Sequence, residues 1–320
     1  MQRRIAYIYN KHFKRSQAAE TIAQGFGSAF KRLGDNFCVF DITALRFDFF
    51  SGERKKLIDF KPDLIFTSVE NINILPLHQI QSCKLVLWGQ FFKACNFEDQ
   101  IVTINKKTKQ CLNKYRDRHQ ILIWSQHSDK INDEYFAGYR DELGLNFMQL
   151  LHCTDKGLFV EPQFQTDNDF IWIGNIGHRK DMYMNVLHPL KKESNSFIEI
   201  TEKNPMSPNV VFQKKMYSRA TLAINVHTKA QIDHGILLNE RVFSSSWQGG
   251  FQVCDNILAR QYFTDDELVI VQKPTDFKEV LYHYKKRPEE RITMIKRMQA
   301  KILNKHLYEH RIQSIEKQFC

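Results

Sequence analysis

The sequence predicts an α/β protein built from two Rossmann-like domains. Short apolar segments alternate with amphipathic, helix-like segments along most of the 320 residues, a pattern typical of βαβ units around a parallel sheet. A chain of this length suits two domains of about 150 residues better than one core. The alternation breaks at HCTDKGLFVEPQF, where Gly157 and Pro162 interrupt it. We therefore predict one domain over residues 1–160 and a second over residues 161–320.

In the first half, runs of apolar, β-branched and aromatic residues mark each predicted strand. The strands are predicted at 5–9, 37–40, 64–66, 85–87, 121–124 and 147–151. Between the first two, apolar residues recur at helical spacing over 18–33. The order strand, helix, strand is that of a Rossmann-like domain.

In the second half the same alternation restarts. Strands are predicted at 170–173, 197–200, 210–212 and 222–226, with one more after Gly249 and Gly250. Helices are predicted at 182–190, 213–220, from 239 onward, and at 278–284, 289–302 and 308–319. The last helix carries Ile312, Ile315 and Phe319 on one side, which predicts that it packs against another element.

Composition excludes several classes of protein. Hydrophobic residues make up 42% and aromatic residues 12% of the chain, which is typical of a globular protein. The seven cysteines form no CxxC pair, so we expect thiols in a reducing compartment and neither a zinc ribbon nor a redox motif. We find no apolar run long enough to span a membrane and no signal peptide, so we expect a cytoplasmic protein.

The formal net charge is +10. Part of it is concentrated in one short basic segment, which consists of Lys106, Lys107, Lys109, Lys114, Arg116 and Arg118. Such a segment attracts polyanions, namely nucleic acid, an acidic glycan or an anionic membrane surface. A solvated helix face that keeps the protein soluble explains it equally well.

The segment 223–255 gathers polar residues between two apolar strands. The first strand ends at Asn225 and Val226, and the run from Asn239 to Arg241 then opens a helix. In open α/β sheets ligands bind beyond the carboxyl ends of the strands, and a helix that starts there favours phosphate. This segment therefore predicts a binding site.

Here the sequence resembles the CgeB-like glycosyltransferases, a group related to the family 4 retaining enzymes of GT-B fold. The matching pieces lie between residues 169 and 319; they are YSRA (217–220), INVH (224–227), LNERVF (238–243), GGFQVCD (249–255), RPEER (287–291) and HLYEHRI (306–312). The resemblance implies a retaining glycosyltransferase with two domains facing a central cleft. The first domain would bind the acceptor and the second a nucleotide-sugar donor. It also implies that the terminal helix returns to the first domain.

A donor diphosphate needs hydrogen-bond donors and positive charge. The run GNIGHRKD at 174–181 supplies them directly after a strand, with Gly174, Asn175, Gly177, Arg179 and Lys180 as the candidate residues. Glycine allows close backbone approach, and the two cations can neutralise phosphate. Without a ligand, the same run would be a tight turn with exposed basic side chains.

By resemblance, Asn239, Glu240 and Arg241 face the donor. The Glu240 carboxylate would accept hydroxyl hydrogens from ribose or sugar, and Arg241 would balance its charge; capping of the following helix is the alternative. Relatives carry a second glutamate where this chain has Ser244, which weakens the expected grip on the ribose.

Two further residues end the strand before this loop. Asn225 and His227 are predicted to point toward the same cleft, where His227 could bind phosphate or sugar. A structural histidine explains the position equally well.

The catalytic candidates are His127 and Glu240, and Gln90 is a candidate acceptor contact. His127 and Gln90 follow predicted strands, so positions in surface loops without a functional role are the alternative for both. Retaining enzymes of this fold use the leaving phosphate as the base, so the resemblance implies no cofactor and no metal. The Asp167-Asn168-Asp169 run precedes a strand, so we do not interpret it as a metal motif.

The acceptor could be a glycan or a modified base in DNA. Two alternatives are a nucleic-acid-binding protein on this scaffold and a catalytically inert relative that acts as a partner subunit.

Overall fold

The structure is a computed structural model. It describes residues 2–10, 17–47, 52–97, 100–174, 176–194, 196–201, 216–271, 273 and 276–320. The chain divides into two compact units, Met1–Leu151 with Tyr308–Cys320, and His152–Leu307. The predicted division at residues 160 and 161 lies further along the chain, in the segment before the first strand of the second unit.

Six parallel strands form the sheet of the first unit. They are β1 (Arg4–Tyr9), β2 (Asn36–Asp41), β3 (Leu64–Ser68), β4 (Lys84–Trp88), β7 (Gln120–Ser125) and β8 (Asn146–Gln149). Their order is β2-β1-β3-β4-β7-β8. A separate antiparallel hairpin, which the sequence analysis did not predict, pairs β5 (Cys95–Phe97) with β6 (Gln100–Val102).

Helices cover this sheet. They are α1 (Gln17–Arg32), α2 (Ile42–Arg46), α3 (Glu53–Phe60), α4 (Lys106–Tyr115), α5 (Asp129–Ile131), α6 (Gly138–Asp141) and the last helix of the chain, α13 (Tyr308–Glu316). Residues Asn132–Phe136 form a π-helical turn between α5 and α6. The sheet core is dominated by Ile, Leu, Val and Phe side chains of the strands and of the helices on one face.

Helix α13 packs against α1 at a glycine. The ring of Tyr308 lies so close to Gly25 that a Cβ there would come within 2.0 Å of the ring. The Phe26 ring packs edge-on against the same tyrosine at 4.8 Å. Arg32 also forms an ion pair with Glu309 at 2.7 Å. The absence of a side chain at Gly25 therefore permits the contact between the two helices.

The second unit repeats the architecture with five parallel strands. They are β9 (Asn168–Ile173), β10 (Phe197–Ile200), β11 (Ala220–Asn225), β12 (Gln252–Cys254) and β13 (Val269–Ile270), in the order β10-β9-β11-β12-β13. The helices are α7 (Lys180–Met182), α8 (His188–Glu193), α9 (Lys229–Asp233), α10 (Arg241–Trp247), α11 (Asp276–Lys285) and α12 (Pro288–Lys305). A π-helical turn, Tyr183–Leu187, joins α7 to α8.

Both sheets contain a point at which the strand order reverses. It lies between β1 and β3 in the first unit and between β9 and β11 in the second. At such a switch point the loops from neighbouring strands leave toward opposite faces and open a crevice at the carboxyl ends. The topology therefore assigns one candidate crevice to each unit.

The strand predicted at 210–212 and the first three residues of the helix predicted at 213–220 lie outside the described residues. Within the described part of that helix, Tyr217–Arg219 form a 3-10 turn, and Ala220 already belongs to β11.

None of the seven cysteines, all of which are described, is joined in a disulfide. Within the described ranges we find no helix with the length and apolar character needed to cross a membrane.

We predict that Gly25→Leu destabilises the protein by about 2 kcal/mol, because a side chain there collides with the Tyr308 ring. The measurement is the free energy of unfolding in urea. Gln24→Leu, one position away on the exposed side of α1, is the control and should change stability by less than about 0.5 kcal/mol. Equal stabilities of the two variants would contradict the packing of α13 on α1.

Candidate functional site

The candidate site lies at the switch point of the second unit. Gly174 directly follows β9, and Asn225 is the last residue of β11. The run from Asn239 to Arg241 leads into α10 and lies against the same edge, as its hydrogen bonds show. The structure thus brings the candidates of the second unit together from three separate chain segments.

Arg241 connects these segments. Its Nη1 donates to the carbonyl oxygen of Ile173 at 2.9 Å, and its Nη2 donates to that of Val226 at 3.2 Å. Its Nε donates to Oδ1 of Asn225 at 3.3 Å. A guanidinium presents its donors in a rigid plane, so one side chain can satisfy the ends of two neighbouring strands.

A second guanidinium reaches the same carbonyl. Arg179 Nε donates to the Val226 oxygen at 3.3 Å. Two cations therefore converge on one neutral acceptor, and both lower the pKa of His227 nearby. Lys180, the next residue, is exposed, as is Gly177. Arg179 and Arg241 thus bring two positive charges to this edge of the sheet, and binding of a diphosphate by the GNIGHRKD run stays a prediction. Asn175 lies outside the described residues.

Gly174 is required by packing. A Cβ at this position would lie 2.7 Å from Cζ2 of Trp172 and 2.9 Å from Nη1 of Arg241. The glycine therefore lets the guanidinium reach the end of β9. The sequence analysis assigned this residue to close approach of a diphosphate; in the structure, Arg241 makes the close approach.

Two asparagines form a reciprocal amide pair. Asn225 Nδ2 donates to Oδ1 of Asn239 at 3.1 Å, and Asn239 Nδ2 donates to Oδ1 of Asn225 at 2.8 Å. Both residues are buried. They hold the loop before α10 against the end of β11, and their amides are largely occupied by each other and by Arg241.

His227 is fully buried and bound on both ring nitrogens. Nδ1 lies 2.7 Å from Oδ1 of Asp255, and the backbone N–H of Asn239 donates to Nε2 at 3.4 Å. The backbone N–H of His227 also donates to the Asp255 carboxylate at 3.0 Å. Burial lowers the pKa of His227, and Asp255 opposes that shift only in part. The ring is therefore neutral, with its proton on Nδ1.

Asp255 is a residue that the sequence analysis left out of the site. It follows β12, the strand next to β11. Its position at the carboxyl end of a parallel strand, next to the strand that His227 follows by two residues, is the signal that could have identified it. It orients His227 and, through that ring, the loop that carries Glu240.

Glu240 lies partly buried at the start of α10. Burial raises the pKa of its carboxyl group, while a hydrogen bond from Ser244 and the charge of Arg241 act in the opposite direction. Ser244 itself is buried. The Ser244 side chain therefore contacts the carboxylate of Glu240, which precedes it by one helical turn. Ser244 occupies the position at which the resemblance led us to expect a second glutamate.

His227, Cys254 and Asp255 could in principle bind a metal, because their donor atoms lie within 4.8 Å of one another. In the described residues, however, His227 and Asp255 bond to each other, and Cys254 Sγ accepts from the backbone N–H of Asn256 at 3.4 Å. Burial also raises the pKa of the Cys254 thiol, which disfavours the thiolate that metals bind. The group is best interpreted as a hydrogen-bond network.

The candidates of the first unit lie after β4 and β7. The His127 ring is buried between Phe91 and Phe136, with ring centroids 5.2 and 5.0 Å away. Its carbonyl oxygen accepts from Nδ2 of Asn132 at 2.9 Å. The Gln90 carbonyl accepts from the Tyr139 hydroxyl at 2.9 Å. The structure thus places His127 in an aromatic environment and Gln90 at the carboxyl end of the sheet.

The basic segment separates into two groups. Arg116 donates to the carbonyl of Leu143 at 3.0 Å, and Arg118 donates to those of His78 and Ile80 at 3.1 and 2.8 Å. These two arginines therefore brace loops of the first unit. The lysines lie on α4: Lys109 Nζ is 3.6 Å from the centre of the Phe92 ring, and Lys114 Nζ is 5.2 Å from that of Tyr115. Lys106 and Lys107 are exposed.

Comparison with known proteins supports this assignment of the fold. Residues 207–317 match a family model described as glycosyl transferase-like. No curated protein matches the sequence significantly. Among solved structures, the chain resembles the catalytic domain of starch synthase IV from Arabidopsis thaliana bound to ADP and acarbose. The TM-score is 0.60 and the identity 9%, over 100% of this chain and 99% of the other.

Two further structures are similar. One is an alpha-glucosyltransferase in complex with UDP and a 13-mer DNA containing an HMU base. The TM-score is 0.55 and the identity 10%, over 100% of both chains. The other is TarM, with a TM-score of 0.52 and 11% identity; the match covers 83% of this chain, which spans 57% of TarM. These likenesses confirm the α/β fold with two Rossmann-like domains, of GT-B type.

We predict that Arg241→Lys destabilises the protein by about 2 kcal/mol, because a lysine cannot reach all three acceptors and leaves buried oxygens without a donor. Urea unfolding measures the change. The control is Arg219→Lys, whose ion pair with Asp167 is exposed, so that its loss should cost less than about 1 kcal/mol. A similar small change in both variants would contradict the bridging role.

We also predict that His227 is neutral and protonated on Nδ1 at pH 6.5, the pH at which an ordinary histidine is half protonated. Because its folded pKa is lowered, the unfolded state binds more protons; the stability that this contributes is present above about pH 6.5 and is lost as pH falls below it. Long-range ¹H–¹⁵N NMR of the ring reports the tautomer. An imidazolium or an Nε2-protonated ring at pH 6.5 would contradict the assignment.

Proposed function

We propose that this protein is a nucleotide-sugar-dependent glycosyltransferase whose donor site is the switch-point edge of the second unit. The observation that carries the proposal is the convergence of Arg179 and Arg241 on the Val226 carbonyl, beside the Glu240 carboxylate. The arrangement pairs positive charge for a diphosphate with a carboxylate for hydroxyl groups. The family match over 207–317 covers this region apart from Arg179 and adds support.

In this proposal Arg179 and Lys180 bind the donor diphosphate. Arg241 is held by three protein acceptors, so it acts mainly through its charge. Glu240 accepts hydrogen bonds from the ribose or sugar hydroxyls, and the Ser244 hydroxyl orients that carboxylate. Gly174, Asn225, His227 and Asn239 hold the loops of the site in position, and Gly177 lies in the turn that we place next to the phosphates.

The chemistry that we propose is retaining transfer. The bond between the anomeric carbon and the diphosphate oxygen breaks, and a bond from the acceptor oxygen to that carbon forms on the same face. The acceptor proton passes to the leaving phosphate. Negative charge builds up on the diphosphate during this step, and cations positioned in advance stabilise it. Because Arg179, Lys180 and Arg241 supply that charge, we propose that transfer proceeds without a metal.

For the acceptor, we propose an anionic molecule bound by the first unit. The exposed lysines of α4 support this, as does the formal charge of +10. The alpha-glucosyltransferase with the HMU-containing DNA is one similar protein whose partner is a polyanion. An acidic glycan and a modified base in DNA are both compatible with this charge.

We predict that UDP, ADP or GDP raises the thermal midpoint of the wild-type protein. A ligand at a hundred times its dissociation constant stabilises by about 2.7 kcal/mol. Arg179→Ala should abolish the shift, because it removes a positive charge that binds the phosphates. Glu240→Gln should reduce the affinity of the nucleotide sugar about tenfold, because it replaces a charge-assisted hydrogen bond with a neutral one.

The control is Arg297→Ala, which removes an exposed arginine that pairs with Asp266 on the same unit. It should leave the nucleotide response unchanged. If no nucleotide shifts the wild type, or if Arg179→Ala responds as the wild type does, the donor site is not at this edge.

A further inference from the structure

The first unit has an aromatic row at the carboxyl end of its sheet. Ser68 on β3 pairs in register with Trp88 on β4, and Trp88 pairs with Trp124 on β7. Paired residues of neighbouring strands project from the same face of a sheet. The three side chains are therefore side by side at the edge where ligands of α/β sheets bind.

The two tryptophans stack. Their ring centroids are 5.5 Å apart, and the ring planes differ by 11°. Trp124 is 7% exposed, whereas Trp88 is 37% exposed. Because one face of the Trp88 ring lies against Trp124, the other faces the β3 side of the row, above Ser68.

Tyr9 bounds the row on the far side of Ser68. Tyr7 on β1 pairs in register with Phe66 on β3, and their rings stack at 5.9 Å. Two residues later on the same face, the corresponding positions hold Tyr9 on β1 and Ser68 on β3. The Phe66 ring fills the space above its strand, whereas the small Ser68 side chain leaves a gap between Tyr9 and Trp88. Trp88 and Tyr9 are about two strand spacings apart, roughly 9–10 Å.

This gap lies between β1, β3 and β4, at the switch point of the first sheet. The Ser68 hydroxyl makes no capping bond to the turn that it precedes. The Ser68 side chain is half-buried. The edge therefore offers a flat apolar wall, the Trp88 ring, beside a small side chain that carries a hydroxyl group.

We propose that a planar nucleobase of the acceptor inserts above Ser68 and stacks on Trp88. This inference rests on the proposed function and names the acceptor class as nucleic acid. A base is flat, as the parallel tryptophan stack requires, and its edge carries N–H donors and acceptors. The formal charge of +10 favours the phosphates that accompany a base. Stacking on aromatic side chains is the usual way in which single-stranded nucleic acid is held.

The test uses the full chain and a single-stranded dT12 oligonucleotide, with quenching of tryptophan fluorescence and anisotropy of a labelled oligonucleotide as readouts. Trp88→Leu should weaken binding about tenfold or more, because it removes the stacking surface, and should leave the slope of affinity against salt unchanged. Ser68→Phe should also weaken binding by filling the gap with a ring, as Phe66 does in the row below, while the thermal midpoint is kept. Trp88→Phe should retain most of the affinity.

The control is Phe47→Leu, which removes an exposed aromatic ring elsewhere on the same unit and should bind dT12 as the wild type does. Equal binding by wild type, Trp88→Leu and Ser68→Phe would overturn the proposal. A change in Trp88 fluorescence with maltohexaose and none with dT12 would also overturn it, because the ring bound against Trp88 would then be a sugar. The shift of the thermal midpoint with UDP is measured in parallel for the wild type and Trp88→Leu. A missing UDP shift with intact dT12 binding would contradict the donor site alone. A normal UDP shift without dT12 binding would contradict the base site alone.

Discussion

The structure of the second unit depends on the guanidinium of Arg241. At the point where the strand order reverses, the ends of β9 and β11 present carbonyl oxygens to a crevice that no neighbouring strand covers. Arg241 donates to both ends and to the Asn225 amide. Gly174 leaves room for it, since any side chain there would collide with Nη1. One cation therefore links two strands and the start of α10, and places its charge where we propose that a diphosphate binds.

The rest of the site follows from this constraint. The reciprocal amide pair of Asn225 and Asn239 holds the loop that approaches Arg241. The Asp255 carboxylate orients His227, whose ring accepts from the backbone of the same loop. With the ring neutral, the positive charge that the described residues bring to the site comes from Arg179, Arg241 and Lys180. Glu240 is left as the carboxylate of this edge, and Ser244 hydrogen-bonds to it.

The first unit uses a different chemistry at its own switch point. Its edge carries the aromatic side chains of Trp88 and Trp124 beside Ser68. Phe66, two residues earlier on the same face of β3, has a ring where Ser68 has a small side chain. Of the basic segment, Arg116 and Arg118 are bound to backbone carbonyls, whereas Lys106 and Lys107 of α4 are exposed. One unit thus presents cations and a carboxylate, and the other presents an aromatic row.

The sequence by itself determined the α/β class and most strands of the two parallel sheets, because alternation of apolar residues and punctuation by glycine are local properties. It did not predict the short β5–β6 hairpin or β13. It also located the basic run after β9 and the Glu240 loop. Only the tertiary structure decided how these residues are used. Gly174 accommodates Arg241, Arg116 and Arg118 brace loops, and Asp255 orients His227, because each contact joins residues far apart in the chain. The aromatic row was likewise invisible in the sequence, since strand register, which places Trp88 beside Trp124 and Ser68, arises only when the sheet is assembled.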